Sequence, residues 1–157
     1  MRSLILAVLP ILMLLGATSA QAAKPKKCLS LPEITAEREI RHGIFMRESS
    51  NRCDGRFLRG SAQMWQKFEQ ANGTKLRAAN GKRLKAWERE FPTDWRYKIN
   101  YADGRLVTYD RNIPLTAGFC ENVEELLQEV DKRGYAAFSA QAKLLQNEVV
   151  EDYKVCQ

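Results

Sequence analysis

The chain has 157 residues, with 25 Lys and Arg against 19 Asp and Glu, a formal net charge of +6, four Cys and one His. That length is one domain's worth and can bury one modest core. Any Ser-His, Cys-His or His-metal scheme would have to run through His42, and the absence of C-x-x-C-H excludes covalent c-type haem.

Met1 and Arg2 precede an apolar run over residues 4–15, broken by Pro10, and then Gly16 and a small-residue stretch that ends in Ala22. This order is that of a secretory signal peptide. The run is too short to cross a bilayer core of ~30 Å as a permanent helix. Residues 1–22 are therefore expected to be cleaved after Ala22, which leaves 135 residues, 23–157, as a single disulfide-stabilised, mainly helical domain with no transmembrane span. Cys28 lies six positions beyond the cleavage site, too far for a lipoprotein anchor. The expected location is periplasmic or secreted, most simply a bacterial envelope.

Cys28, Cys53, Cys120 and Cys156 are even in number and all in the mature part, the pattern of two disulfides formed in an oxidising compartment. Metal ligation is the rival reading, but no C-x-x-C pair exists, so a tetrahedral site would need all four scattered thiolates. No metal and no cofactor is expected.

Charge is unevenly placed. Residues 55–91 hold nine Lys or Arg against three Glu, whereas residues 120–157 hold four basic against eight acidic side chains. A basic face that meets an anionic surface is one reading. The other lays the basic segment against acidic side chains inside the same fold.

Residues 23–29 form a short basic lead-in, and Ser30 is placed to cap a helix with Pro32 and Glu33 in its first turn. A helix is predicted over 31–50, with Leu31, Ile34, Phe45, Met46 and Cys53 on one broad sector and Ile40 and Ile44 to the side. Asp54-Gly55 should stop it. A second helical stretch starts near Arg56, with Phe57, Ser61, Met64, Phe68 and Ala71 at three- and four-residue steps. It meets Asn72-Gly73 and, eight residues on, Asn80-Gly81. One long helix ending near Phe91, with each Gly costing ~1 kcal/mol, is preferred to two short ones.

Phe91-Pro92 breaks the helical pattern. Tyr97, Ile99 and Tyr101 then alternate with Lys98 and Asn100, and Asp103-Gly104 separates them from the aromatic and β-branched run that ends in Tyr109. This pattern predicts a β-hairpin, whose three Tyr make it the first surface to inspect for a partner. A third helix is predicted over 121–133, with Val123, Leu126, Leu127 and Val130 on one face and Gly134 as its stop. A fourth, over 135–155, carries Tyr135, Phe138, Ala142, Leu145, Val149 and Tyr153 on one stripe that Cys156 extends. The fold class expected is mainly α, a small bundle of about four helices with a β-hairpin insertion, braced by two disulfides.

Disulfide pairing stays open at this stage. A straight helix from 28 to 53 would separate its ends by ~37 Å, far beyond the ~7 Å limit for bridged Cα atoms, so Cys28 would pair with Cys120 or Cys156. Those two flank a helical hairpin, and a break at His42-Gly43 would ease clamping both ends of the first helix.

The nucleophile elbow, the Walker loop, G-x-G-x-x-G and H-E-x-x-H are all absent. Arg47-Glu48-Ser49-Ser50, followed by Gly60-Ser61-Ala62-Gln63-Met64, resembles the Glu-Ser dyad and downstream Gly-x-Met-Gln of soluble lytic transglycosylases, with Gln63 and Met64 in inverted order and Cys53 and Asp54 intervening. The resemblance implies Glu48 as the general acid and base on a wall glycan. The plainer reading of Glu48 is a helix-surface partner of Arg52. The candidate binding residues are the basic run Lys75, Arg77, Lys82, Arg83, Lys85 and Arg89 with Trp87 alongside, suited to a phosphate-rich or otherwise anionic polymer, and Tyr97, Tyr101 and Tyr109. Nucleic acid is not expected outside the cytoplasm. The function expected is that of a small exported non-enzymatic binding, adaptor or envelope-associated protein, whose partner is an anionic cell-envelope surface or another exported protein. The alternatives are a peptidoglycan-cleaving enzyme that uses Glu48, or an inhibitor or chaperone of another exported protein.

Overall fold

The computed structural model of the chain describes residues 28–144 and 154–156. The expected signal peptide and the part of the expected last helix over 145–153 lie outside the described residues. Among the described residues five helices follow one another: α1 (Leu31–Asp54), α2 (Ser61–Glu90), α3 (Trp95–Asn112), α4 (Ala117–Arg133) and α5 (Tyr135–Leu144). Two short strands, β1 (Cys28–Leu29) and β2 (Lys154–Val155), pair in parallel, with Cys28 opposite Lys154. The architecture is mainly helical and braced by two disulfides, as expected, but the hairpin is not there.

α1 packs against each of the other four helices, which explains its untidy amphipathicity. A helix covered on several sides needs no single apolar stripe, and α1 buries Glu37, Glu39, His42, Ser49 and Ser50 beside Ile34, Ile44 and Met46. Its start is fixed by Glu33, whose carboxylate accepts from the Ser30 backbone N–H at 2.8 Å, and by Pro32 in the first turn. The helix runs unbroken through His42-Gly43. At Gly43 an added Cβ would meet Phe138 at 3.8 Å and Trp65 at 4.0 Å, so these rings lie close against the α1 backbone.

The turn after α1 is closed by the Asp54 carboxylate, which accepts from the Gly60 N–H. Gly60 has φ of 91°, a left-handed conformation that favours glycine, and this places the start of α2 at Ser61 rather than near Arg56. The Ser61 hydroxyl then donates to the Ser50 carbonyl at 2.7 Å. α2 continues as one helix through both Asn-Gly pairs for 30 residues.

The main core gathers Met46, Trp65, Phe68, Val123, Leu127, Val130 and Phe138 from α1, α2, α4 and α5. Phe138 is its hub, with ring centroids 5.1 Å from His42, 5.1 Å from Phe68 and 5.5 Å from Tyr135. Aromatic pairs of this kind add ~0.5–1.5 kcal/mol each beyond area burial. A smaller cluster of Leu29, Ile34 and Ala86 seals the opposite end, where β1 meets α1 and α2.

Both disulfides are formed, Cys28 with Cys156 and Cys53 with Cys120. The expected fourth helix does not reach Cys156. Lys154–Val155 is strand β2, hydrogen-bonded beside β1, and the Cys156 N–H donates to the Leu29 carbonyl at 2.9 Å. Strand β2 and the bridge to Cys28 place Cys156 beside the start of α1. Each end of an unbroken α1 is clamped by its own bridge, and no helix break is needed.

The predicted hairpin is α3. Tyr97, Tyr101 and Tyr109, read by sequence as strand residues around an Asp103-Gly104 turn, stand on an 18-residue helix. Asp103 is not a turn residue here: its two oxygens accept from Arg83 at 3.0 and 2.5 Å. Gly104 sits in the helix interior with nothing within 4 Å of an added Cβ, so it faces open space.

Candidate functional site

α3 is anchored from one side. Its buried residues are Ile99 and Asp110, Asp103 is held by Arg83, and Arg52 reaches across from α1 to the Asp110 and Ile113 carbonyls. The outward side carries Tyr97, Tyr101 and Tyr109 at 72, 59 and 67% exposure. At 3.6 residues per turn, positions 97, 101, 104 and 108 form one stripe, with 100, 105 and 109 beside it. A shallow depression of about 620 Å³ follows this face, lined by Asn100, Tyr101, Gly104, Arg105, Thr108 and Tyr109. The Tyr97 and Tyr101 rings stack with centroids 6.2 Å apart. Arg96 and Arg105 are exposed and pair with no carboxylate among the described residues. The two carboxylates of α3 are turned inward, Asp103 on Arg83 and Asp110 buried. Sequence reasoning found the tyrosines and missed Asn100, Arg105 and Thr108. The signal that would have found them is helical spacing, with Asn100 three residues after Tyr97, and Arg105 four and Thr108 seven residues after Tyr101.

The basic run divides into two groups. Lys75, Arg77, Lys82 and Lys85 are exposed on α2. Lys75 sits over the Tyr135 ring at 5.2 Å, and Arg77 donates to the Thr74 hydroxyl at 3.2 Å. No ion pair forms at any of these four among the described residues. Arg83 and Trp87, expected on the same surface, are buried, and Arg89 donates to Glu33, to Glu90 and to the Cys28 carbonyl. The acid partners come from α1, α2 and α3 instead of the C-terminal helices, with Lys67 to Asp131 of α4 the exposed exception at 3.2 Å.

Arg83 lies at the junction of α1, α2 and α3. Its Nε donates to Glu37 Oε2 at 2.8 Å, and the Trp87 indole N–H donates to the same oxygen at 2.8 Å. Arg41 donates to Glu37 Oε1 at 2.9 Å. Burial works against ionising Glu37, but the charge and bonds of Arg83 outweigh it and hold the carboxyl below its usual range. Burial likewise opposes the Arg83 charge, which its bonds to Asp103 and Glu37 more than restore. Complete pairing of this kind makes a structural joint.

Between α1 and α2 runs a groove of about 390 Å³ with Ala36, Ala78 and Ala79 on its floor and Lys75, Lys82 and Tyr135 at its rim. The Tyr135 hydroxyl donates to Glu39 at 2.8 Å, and burial together with that bond raises its pKa.

Glu48 does not pair with Arg52. It accepts from Arg111 of α3 at 2.8 Å, while Arg52 is spent on backbone carbonyls. Neither depression described above is lined by Glu48. Nearby, burial, and then the charge of Glu48, push the Asp110 carboxyl up to about 6 against the opposing pull of Arg52. His42 is 2% exposed; its Nε2 faces Gln141 Oε1 at 3.0 Å, and its Nδ1 has no hydrogen-bond partner among the described residues. Because an amide oxygen only accepts, Nε2 carries the proton. Among the described residues no group of three or more His, Cys, Asp or Glu is placed to hold a metal ion, and no helix is long and apolar enough to cross a membrane. The chain matches no known protein family, no curated protein and no solved structure.

Proposed function

We propose that the chain works outside the cytoplasm as a small non-enzymatic binding or adaptor domain that docks on an anionic surface of the cell envelope. The observation that carries this reading is the set of four exposed cations on α2, Lys75, Arg77, Lys82 and Lys85, which no carboxylate neutralises among the described residues. Their neighbours Arg83 and Arg89 are consumed by internal bonds, so the exposed four are charge that the fold itself does not use. Each Lys or Arg held near an anionic surface contributes ~1 kcal/mol, so four together give reversible, salt-sensitive attachment. The signal-peptide pattern of residues 1–22 and the two disulfides support an oxidising compartment outside the cytoplasm.

The test compares mature protein with the quadruple charge reversal Lys75→Glu, Arg77→Glu, Lys82→Glu, Lys85→Glu on phosphatidylglycerol vesicles and on purified wall sacculi. Binding by the native protein that weakens as salt rises, and is lost in the reversal, is the expected result. Binding that ignores both salt and reversal, or no binding at all, overturns the reading.

A further inference from the structure

We propose that the outward face of α3 is a carbohydrate-binding surface for a linear, carboxylate-bearing wall glycan. This rests on the reading of the chain as an envelope-docking domain and names a ligand for a second face of it.

The chemistry of that face is mixed in a particular way. Three tyrosine rings stand mostly in solvent, and the hydrogen-bonding groups of Asn100, Arg105 and Thr108 lie between them. A sugar ring presents an apolar C–H face, electropositive at its hydrogens, which lies well on the negative face of an aromatic ring. Its rim of hydroxyl and amide groups calls for donors and acceptors set beside the ring. Tyrosine with amide, hydroxyl and guanidinium neighbours supplies both.

Shape points the same way. The depression is shallow instead of enclosed, and the residues that line it run from Asn100 to Asn112, twelve residues or ~18 Å along the helix axis. Such a face suits a polymer laid along it better than a small molecule, which needs a concave pocket. Gly104 lies in mid-face with open space where a Cβ would be, so a chain can approach the backbone there.

Charge decides the sign of the ligand. Arg96 and Arg105 are exposed and unpaired by any described carboxylate, while Asp103 is turned onto Arg83 and Asp110 is buried. Asp94, one turn before Tyr97 and 48% exposed, is paired with Lys98 at 3.4 Å, which leaves Arg105 as the net charge among the residues that line the depression. A phospholipid bilayer fits it less well. The residues that line the depression include Asn100, Gly104 and Thr108 and no aliphatic side chain to enter the acyl boundary.

The experiment measures mature protein and the triple variant Tyr97→Ala, Tyr101→Ala, Tyr109→Ala on purified sacculi and, separately, on phosphatidylglycerol vesicles. The expected result is a loss of sacculus binding of about tenfold or more in the triple variant, with vesicle binding by the α2 cations unchanged. In the native protein, a neutral N-acetylglucosamine oligomer should shift amide resonances of residues 97–109 before others, a readout that does not require the variant to fold. Unchanged sacculus binding by a folded triple variant, or resonance shifts confined to another face, overturns the inference. Equal losses on sacculi and vesicles would make phospholipid the ligand and also overturn it. Loss of vesicle binding in the α2 charge reversal tests the docking reading independently, so the two failures are told apart.

Discussion

Arg83 Nε sits 2.8 Å from Glu37 Oε2 with both side chains 2% exposed, and the same guanidinium holds Asp103 with its other two nitrogens. One side chain therefore ties three helices together by charge where their apolar contacts are thin: α3 buries only Ile99 and Asp110. Removing one partner strands a buried charge. Glu37→Leu or Arg83→Leu should each cost about 3–5 kcal/mol in urea unfolding, and the double substitution should cost less than the two losses added. Additive losses would mean that the two residues act independently.

Acid should weaken the protein through His42. Burial lowers the pKa of this imidazole despite its bond to Gln141, and Nδ1 has no acceptor among the described residues to receive a proton's hydrogen bond. The unfolded chain takes up a proton near pH 6.5, its ordinary value, while the folded chain resists. Stability is therefore full above that pH and falls as pH drops below it, by at most about 1.4 kcal/mol per pH unit for one group. Urea midpoints measured from pH 8 down to 5 should show the decline, and His42→Gln should flatten it. Because Asp110 contributes with the opposite sign below about pH 6, the comparison decides: a His42→Gln curve that declines as steeply as the native one removes His42 as the cause.

Asp110 has the opposite sign. Its folded pKa of about 6 lies above the ordinary 3.8, so its contribution is present below 3.8 and lost as pH rises through 6. At neutral pH the buried carboxylate is a liability. Asp110→Asn should raise stability there by about 1–3 kcal/mol and lose that advantage below pH 4. Equal stability of the two proteins at both pH values would place the carboxyl in water.

How much of this was legible beforehand depends on where the deciding interaction lies. The start of α1 was readable because Ser30, Pro32 and Glu33 act within one turn. The long α2 was readable because Leu76, Leu84 and Trp87 keep a rough helical period across its glycines. The hairpin was misread because Asp103-Gly104 is a strong local turn signal, and the interaction that overrides it, Arg83 on Asp103, spans 20 residues. The tyrosines fit both periods over so short a stretch. The split of the basic run was equally hidden: nothing local tells Arg83, which meets Glu37 at a separation of 46, from Lys82 beside it. The disulfide pairing required knowing that Lys154–Val155 pairs with Cys28–Leu29, a strand of two residues with no pattern of its own.

The two bridges should differ in their response to reductant. Cys53 and Cys120 are 0 and 2% exposed inside the main core, whereas Cys28 and Cys156 are half-buried beside β1. Thiol attack needs access to a sulfur. Under mild reduction without denaturant, alkylation and mass analysis should find Cys28 and Cys156 labelled well before Cys53 and Cys120. Simultaneous labelling of all four would mean that reduction proceeds through global unfolding.

Glu48 gives the last prediction, because it separates the binding reading from catalysis. Its ion pair with Arg111 joins a side chain 13% exposed to one 65% exposed, and pairs of that kind are worth about 0–1 kcal/mol. Glu48→Gln should therefore move the urea midpoint little. If the protein only binds, native chain and variant should both leave sacculi intact, with no soluble glycan fragments after prolonged incubation. Fragment release by the native chain that disappears in Glu48→Gln would instead make Glu48 the general acid. It would require the Arg111 guanidinium, which only donates, to move off the carboxylate so that a proton can pass from it to a glycosidic oxygen.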